Sequence, residues 1–233
     1  MDFLHNNLQN VLSRIRTVCL QSDRAENAAS LIAVSKTFPA EDIRTVYRCG
    51  QRDFGENYIQ EWYAKTDELA DCPDIVWHII GDIQSNKTKY VAERAHWVHT
   101  VSRLKIAERL SHQRPTHMPP LQICIEVNIA QEPNKHGIAP EDVLPLAREL
   151  IKLPKLALRG LMCVAKADCS ETELNRQFQT MRNLLAELNQ AGIAADVLSM
   201  GMSSDMETAI RNGATHVRIG SAIFGNRQYA QST

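Results

Sequence analysis

Short apolar runs alternate with longer amphipathic segments along almost the whole chain, and this pattern limits the folds open to it. Several runs are continuous in Val, Ile and Leu, which is typical of strands buried on both faces of a parallel sheet. The predicted strands are LIAVS (31–35), RDF (52–54), IVWHII (75–80), WVHTV (97–101), LQICIEVNI (121–129), LALRGLMCV (156–164), DVLSM (196–200) and HVRIG (216–220).

Helix-compatible segments separate the strands, and an amphipathic helix over 3–19 precedes the first strand. The segments cover 39–49, 57–70, 84–95, 103–113, 140–153, 171–191 and 204–212. Asn57 with Gln60, and Ser204 with Glu207, match the capping box that begins a helix. Strict alternation of strands and helices predicts an α/β fold, a single (β/α)8 TIM-type barrel with an extra N-terminal helix. An open, doubly wound sheet is the alternative.

Length and composition agree with one barrel domain. The 233 residues approach the roughly 250 of a typical TIM barrel. Residues 1–233 are therefore predicted to form one domain, with a helix at 1–20 and the barrel at about 30–226. The formal net charge of −1 gives no pull toward nucleic acid or an anionic membrane. With no signal-peptide pattern and no long apolar stretch, we expect a cytoplasmic protein with reduced thiols.

Lys36 follows the first predicted strand, in the sequence AVSKT. Ligand sites of parallel barrels lie at the carboxyl ends of the strands. An amine held there would be partly desolvated, which lowers its pKa and makes it a nucleophile toward an aldehyde. The competing interpretation is a surface lysine whose stem packs on apolar neighbours.

Small polar residues and glycines follow the seventh and eighth strands, in LSMGMSSDM and VRIGSAIFG. Barrel enzymes commonly bind phosphate with these two loops. The hydroxyls of Ser199, Ser203 and Ser221 are suited to this, as are the backbone N–H groups of Gly220 and Ser221. Ordinary turns use the same residue types. The first and eighth strands are neighbours in a closed barrel, so a phosphate-binding loop after the eighth strand would lie close to the Lys36 amine. This arrangement suits a ligand that carries both an aldehyde and a phosphate.

Four further residues are candidate contacts for such a ligand. Arg218 would face a pyridine nitrogen, where a cation disfavours protonation and makes the ring a poorer electron sink. An ion pair with a neighbouring carboxylate is the alternative for Arg218. Asn57 and Met200 are candidate wall contacts, with helix capping and core packing as their ordinary roles. Lys135, in EPNKHG, is a second candidate amine, and a solvated loop lysine is the ordinary interpretation.

Other kinds of site are not indicated by the sequence. His96 and His99 have no carboxylate or cysteine at ligand spacing, so no metal site is predicted. The sequence contains no Walker A motif, no GxGxxG after a strand and no GxSxG. It also lacks the basic stripe and the aromatic cluster of a nucleic-acid-binding protein.

Seven motifs occur in a fixed order between residues 30 and 226: AVSKT, FGENYIQE, WHIIGDIQSNK, VNIAQEPNKHG, LRGLM, LSMGMSSDM and VRIGSAIFG. Together they resemble the pyridoxal phosphate homeostasis proteins, single-domain relatives of the alanine racemase N-terminal barrel (fold type III). The resemblance implies pyridoxal 5'-phosphate (PLP) as the cofactor, held as a Schiff base on Lys36. It also implies Ser199, Gly220 and Ser221 at the phosphate and Arg218 at the pyridine nitrogen.

The resemblance also covers Lys135, which matches a loop lysine with a role in handling or releasing PLP. The sequence departs from the family pattern at four positions. Phe38 stands where many members have a basic residue, and Asp82 and Ile83 alter the IGxLQxNK motif. Ala165 stands where a proline often lies. We expect Phe38 and Asp82 to alter the entry or release of the cofactor without preventing its binding.

Two functions agree with these features. The resemblance implies a carrier or buffer of PLP without strong catalysis, with PLP-dependent apoenzymes as transient partners. The alternative is a PLP-dependent amino-acid racemase, which needs an acid/base group on each face of the bound substrate. Lys36 serves one face, but racemases supply a tyrosine for the other from a second domain across a dimer. This chain ends at residue 233 and only Tyr58 lies near a predicted strand end, so a monomeric carrier is favoured.

Overall fold

The computed structural model describes residues 2–132 and 135–225. Its strands are β1 (Ser30–Val34), β2 (Asp53–Glu56), β3 (Val76–Ile79), β4 (Trp97–Val101), β5 (Leu121–Val127), β6 (Leu156–Cys163), β7 (Val197–Ser199) and β8 (His216–Ile219). Each strand pairs in parallel with the next along the chain, and β8 pairs with β1. The predicted closed barrel is confirmed, and the open doubly wound sheet is wrong. That residues 1–233 form a single domain stays a prediction.

Helices follow the strands and cover the outside of the barrel. They are α1 (Asp2–Gln21), α2 (Ala40–Arg48), α3 (Ile59–Glu68), α4 (Thr88–Arg94), α5 (Leu104–Gln113), α6 (Val143–Leu150), α7 (Glu171–Gln190), α8 (Met206–Arg211) and α9 (Ser221–Phe224). A 3-10 turn, Pro140–Asp142, leads into α6. The extra N-terminal helix is confirmed: α1 packs on α2, α8 and α9 through buried Leu8, Val11 and Ile15.

The ends of the helices agree with the sequence only in part. Both predicted capping boxes are wrong, because α3 begins after Tyr58 and α8 after Asp205, each without a side-chain cap. The hydroxyl of Ser170 instead caps α7, accepting a hydrogen bond from the N–H of Glu173. Gly50, Gly192 and Gly213 follow the ends of α2, α7 and α8, and all three have positive φ angles.

Three histidines from different strands of the barrel lie close together. His78, His99 and His216 come from β3, β4 and β8, and their ring centroids lie 5.2–6.3 Å apart across the barrel. His78 lies 2.9 Å from His99 through their ring nitrogens and 2.9 Å from the carboxylate of Asp53. We call these three residues the histidine cluster.

Within the described residues, no group of His, Cys, Asp and Glu side chains is arranged to hold a metal ion. The two histidines considered as ligands have other contacts. His96 accepts a hydrogen bond from the N–H of Trp77, and His99 belongs to the histidine cluster. Across the same residues, no helix is both long enough and apolar enough to cross a lipid bilayer. All six cysteines are free thiols.

Candidate functional site

A pocket of about 790 Å³ opens at the carboxyl ends of the strands. Its volume falls within the roughly 300–1,000 Å³ typical of small-molecule sites. The lining residues are Val34, Lys36, Phe38, Asn57, Ile80, Val164, Met202, Ser203, Ser204, Arg218, Gly220, Ser221 and Gly225. They follow six of the strands, and the polar ones come mainly from the ends of β1, β7 and β8.

Five of the predicted cofactor-binding residues are brought together in this pocket. They are Lys36, Asn57, Arg218, Gly220 and Ser221. The pairing of β1 with β8 explains why residues so distant in sequence meet here. The amine predicted after the first strand and the polar loop predicted after the eighth therefore share one cavity.

Ser199 and Met200 do not line the pocket. The side chain of Ser199 is fully buried and its hydroxyl accepts a hydrogen bond from Arg218 at 2.9 Å. Met200 is also fully buried and packs in the main hydrophobic core. Neither residue lines the pocket, so their direct contact with a ligand stays a prediction.

Lys36 is half-buried in the turn that follows β1. The N–H of Ser35 bonds to the carbonyl of Gly55, which extends the pairing of β1 with β2 by one residue. A Cβ atom at Gly220 would lie 3.2 Å from the carbonyl oxygen of Val34, so glycine lets the turn after β8 approach β1 closely. This approach brings the loop after β8 to the side of Lys36.

Arg218 is buried at the base of the pocket, on β8. Its Nη1 donates to the Ser199 hydroxyl at 2.9 Å, and its Nη2 donates to the carbonyl of Cys163 at 2.8 Å. Burial lowers the pKa of Arg218 and raises that of the Cys163 thiol to about 12, so the thiol does not neutralise the guanidinium. No ion pair joins Arg218 to a carboxylate in the part of the chain that the structure describes. The ion-pair alternative is wrong there, and Arg218 is a fixed cation.

Asn57 forms part of the pocket wall after β2. Its side-chain oxygen is buried and has no hydrogen-bond partner among the described residues. A Cβ atom at Gly81 would lie 2.4 Å from the Asn57 carbonyl oxygen, so glycine is required for the loop after β3 to pack here. A buried acceptor without a partner is rare in proteins, and this one belongs to a residue of the pocket wall.

Three serine hydroxyls line the side of the pocket formed by the loops after β7 and β8. Ser203 and Ser221 were predicted from the sequence, and both line the pocket. Ser204 was missed as a ligand contact because its spacing from Glu207 suggested a helix cap. Hydroxyls in the same pocket as a buried guanidinium suit a small anionic ligand.

The apolar part of the wall was also missed by sequence reasoning, since Ile80, Val164 and Met202 carry no polar signal. Phe38 lines the pocket and stacks on Phe224, with ring centroids 5.0 Å apart. Phe38 therefore gives the pocket an apolar wall at this position. These surfaces would pack against the flat faces of an aromatic ring.

Lys135 and Asp82 lie outside the pocket lining. The Lys135 amine donates to the carbonyl of Ala165 at 3.3 Å and forms an ion pair with Glu132 at 2.5 Å. Lys135 is half-buried, so it is not a fully solvated loop lysine. Asp82 forms an ion pair with Arg103 at 3.5 Å.

Glu126 is a buried carboxylic acid on β5 that sequence reasoning passed over. Burial raises its pKa to about 6, opposed by the positive charges of His136 and Arg218. The available signal was a charged residue within the apolar run ICIEV, which is unusual for a strand buried on both faces.

Residues 7–228 match the model of the family described as alanine racemase, N-terminal domain. The pyridoxal phosphate homeostasis protein of Pseudomonas aeruginosa is 48% identical over 229 residues, covering 98% of both chains. The protein of the same description from Escherichia coli is 42% identical over 236 residues, covering 99% of this chain and all of the relative.

Solved structures show the same barrel. PipY of Synechococcus elongatus with PLP bound has a TM-score of 0.83 and 35% identity, covering 95% of this chain and all of PipY. Alanine racemase from Corynebacterium glutamicum has a TM-score of 0.70 at 17% identity, and the match covers all of this chain but 63% of the racemase. At that identity the racemase shows the fold alone.

Proposed function

The chain belongs to the alanine racemase N-terminal domain family, among the pyridoxal phosphate homeostasis proteins, and we propose that it binds PLP in the pocket at the barrel mouth. In this proposal the protein carries or buffers PLP and maintains its intracellular level, without strong catalysis of its own. PLP is held as a Schiff base on Lys36. The full-length identity to proteins of that description and the PLP-bound structure of PipY support the proposal.

One observation carries the assignment of the pocket: Lys36 shares a cavity with the buried cation of Arg218 and three serine hydroxyls. PLP, when bound, supplies an aldehyde with which a lysine amine condenses, releasing one water. In this proposal Ser203, Ser204 and Ser221 hold its phosphate, and Asn57 is a further polar contact of the pocket wall. The wall of Phe38, Ile80 and Val164 would exclude water from the ring. The residues present therefore fit PLP.

The test is to trap PLP with borohydride and to locate the modified peptide by mass spectrometry. We expect modification at Lys36, and Lys36→Ala is expected to lose the trapped cofactor and the visible absorption of the Schiff base while retaining its fold. Lys135→Ala is the matched control, since Lys135 is also half-buried near the mouth. Trapping on Lys135 in the unmodified protein, or trapping that persists in Lys36→Ala, would contradict the assignment.

The absence of a second proton-transfer group at the pocket favours a carrier over an amino-acid racemase. Of the described lining residues, Lys36 and Arg218 alone carry ionisable side chains. Tyr58 follows β2 but is exposed and does not line the pocket. A chiral assay with a panel of L-amino acids and added PLP separates the two functions. Turnover above about 1 s⁻¹, within the ordinary enzyme range, would favour the racemase.

In the same proposal the protein is cytoplasmic and monomeric, binds PLP-dependent apoenzymes transiently and binds no nucleic acid. The six free thiols favour a reducing compartment. A net charge of −1 gives no attraction to nucleic acid. Light scattering after size exclusion tests the monomer, and reactivation of an apoenzyme by the PLP-loaded protein tests the transfer.

A further inference from the structure

Three charged side chains form a buried network directly behind the turn that carries Lys36. Glu56 ends β2, and Glu61 and Lys65 lie one helical turn apart on α3. Glu56 is fully buried and Lys65 nearly so, whereas the side chain of Glu61 is 33% exposed. The network lies outside the pocket lining, and the chemistry proposed above does not use it.

The Lys65 ammonium makes three hydrogen bonds. It donates to Glu56 Oε1 at 2.9 Å, to Glu61 Oε1 at 2.5 Å and to the carbonyl oxygen of Ser35 at 3.1 Å. An ammonium has three donors, so all of them are used. The ion pairs compensate for burial of the charge, and the third bond anchors it to the backbone of Ser35.

The same network holds the other side of Lys36. Glu61 Oε1 accepts a hydrogen bond from the backbone N–H of Thr37 at 2.7 Å. The carbonyl of Ser35 belongs to the peptide group before Lys36, and the N–H of Thr37 to the peptide group after it. Both peptide groups that flank Lys36 are therefore bound to one ion pair.

The backbone at this turn needs such support. Thr37 has a φ angle of 68°, in the left-handed region that β-branched residues rarely adopt. A conformation of this kind is strained and persists only where the surroundings hold it. Ser35 is held further by a 2.7 Å hydrogen bond from its hydroxyl to Glu56 Oε1.

We propose that the Lys65–Glu61 ion pair is a positioning device for Lys36, fixing both flanking peptide groups so that the amine meets the PLP aldehyde in reactive geometry. This inference rests on the proposed function. An ion pair that only attached α3 to the barrel would require the Lys65–Glu56 contact alone. The two further bonds, to the backbone on either side of Lys36, are explained by a positioning role.

The test compares variants that remove the hydrogen bonds holding the peptide groups on either side of Lys36. Glu61→Ala removes the acceptor of the Thr37 N–H at a partly exposed site. Lys65→Met combined with Glu56→Gln removes the buried cation without leaving a buried carboxylate unpaired, a change that proteins tolerate better than the loss of one partner. Glu61→Gln keeps an acceptor for Thr37 and is the conservative variant. Arg114→Met is the matched control, because Arg114 is also a buried cation bonded to backbone carbonyls, but those carbonyls belong to Ala92 and Ala95, before β4 begins.

Two readouts separate positioning from a general effect on the fold. The first is the rate at which PLP forms a Schiff base on Lys36. The second is the affinity for pyridoxine 5'-phosphate, whose alcohol cannot condense with an amine. We expect Glu61→Ala and the double variant to slow Schiff-base formation about tenfold or more, since small misplacements cost reactions this much. Affinity for pyridoxine 5'-phosphate should be unchanged, and Glu61→Gln should recover most of the rate.

The proposal is overturned if folded variants react with PLP at the rate of the unmodified protein, or if Arg114→Met slows the reaction equally.

A third measurement does not require PLP. It is the acetylation of each lysine by trace acetic anhydride, quantified by peptide mapping. If PLP does not attach to Lys36 even in the unmodified protein, the proposed function fails, and acetylation still decides the positioning role. A changed rate at Lys36 relative to Lys152 in the variants would support it, and an unchanged rate would reject it.

Discussion

At the scale of single residues, Arg218 shows how a buried charge is kept in place. Its guanidinium is held by the Ser199 hydroxyl and by the Cys163 carbonyl. These acceptors come from β7 and β6, so neighbouring strands fix the cation from behind and leave the pocket side to a ligand. The cost of burying the charge is thus met by polar groups of the barrel wall.

Ser199→Ala tests this arrangement. It would leave one buried N–H of Arg218 without its acceptor, so we expect a loss of about 1–3 kcal/mol in the free energy of unfolding, measured by urea denaturation. Ser203→Ala is the control, because Ser203 is exposed at the pocket and should change stability by less than about 0.5 kcal/mol. A neutral Ser199→Ala would show that this hydrogen bond does not hold Arg218.

At the scale of elements, Ser170 makes the side-chain cap found at the start of α7. Ser170→Ala should lower the free energy of unfolding by about 0.5–2 kcal/mol, the usual loss for a serine cap. Ser204→Ala serves as the control, since Ser204 has the capping-box spacing but does not cap α8. Equal losses in the two variants would contradict the structure at these helix starts.

Gly160 determines how closely β6 and β7 approach. A Cβ atom at this position would lie 1.9 Å from the carbonyl oxygen of Val197, within the paired strands. Gly160→Ala should therefore destabilise the protein by about 3 kcal/mol or more, the upper range for an overpacked core. Gly192→Ala is the comparison: no atom lies within 4 Å of its Cβ and only the positive φ of 80° opposes it, so a loss of about 1–2 kcal/mol is expected. Thermal unfolding gives both values.

The strands were predictable from the sequence because they are buried within a parallel sheet. The observed strand ends differ from the predicted ones by at most two residues, since burial on both faces leaves continuous apolar runs at most of them. Helix α9 was not predicted, because its four residues are too short to show a period. The capping boxes failed because the loop path, which is set by tertiary packing, decides which residue begins a helix.

The site was predictable only to the level of loops. Strand order indicated that Lys36 and the loops after β7 and β8 would meet, and they do. Strand order did not indicate which residues of a loop reach the pocket surface. Ser199 is buried and bonded to Arg218, whereas Ser203 and Ser204 line the pocket. The bond of Lys65 to the carbonyl of Ser35, 30 positions earlier, leaves no local pattern in the sequence.

At the scale of the whole molecule, the histidine cluster links stability to pH. Burial lowers the pKa of His78, lowers that of His99 strongly and lowers that of His216 to about 4. In the unfolded chain a histidine has a pKa of about 6.5. Between these values the unfolded state binds more protons than the folded state, so the free energy of unfolding falls as the pH drops below about 6.5.

His216→Asn tests this linkage. From pH 7 to pH 5, His216 alone should remove about 2 kcal/mol from the stability of the unmodified protein, and the variant should lack that part of the decline. Urea denaturation at both pH values gives the difference. Glu126, with its pKa raised to about 6, contributes with the opposite sign in both proteins and cancels in the comparison. Identical declines would mean that His216 is not held neutral in the fold.

Closure of the barrel by β1 and β8 also orders events while the protein is being synthesised. Lys36 leaves the ribosome well before β8, the strand that includes Arg218 and completes its side of the pocket. Until then β1 has an unpaired edge, and nascent chains with unpaired strand edges are prone to aggregate. The lysine is thus made well before the pocket around it, and the pocket stays open on one side until β8 has been synthesised.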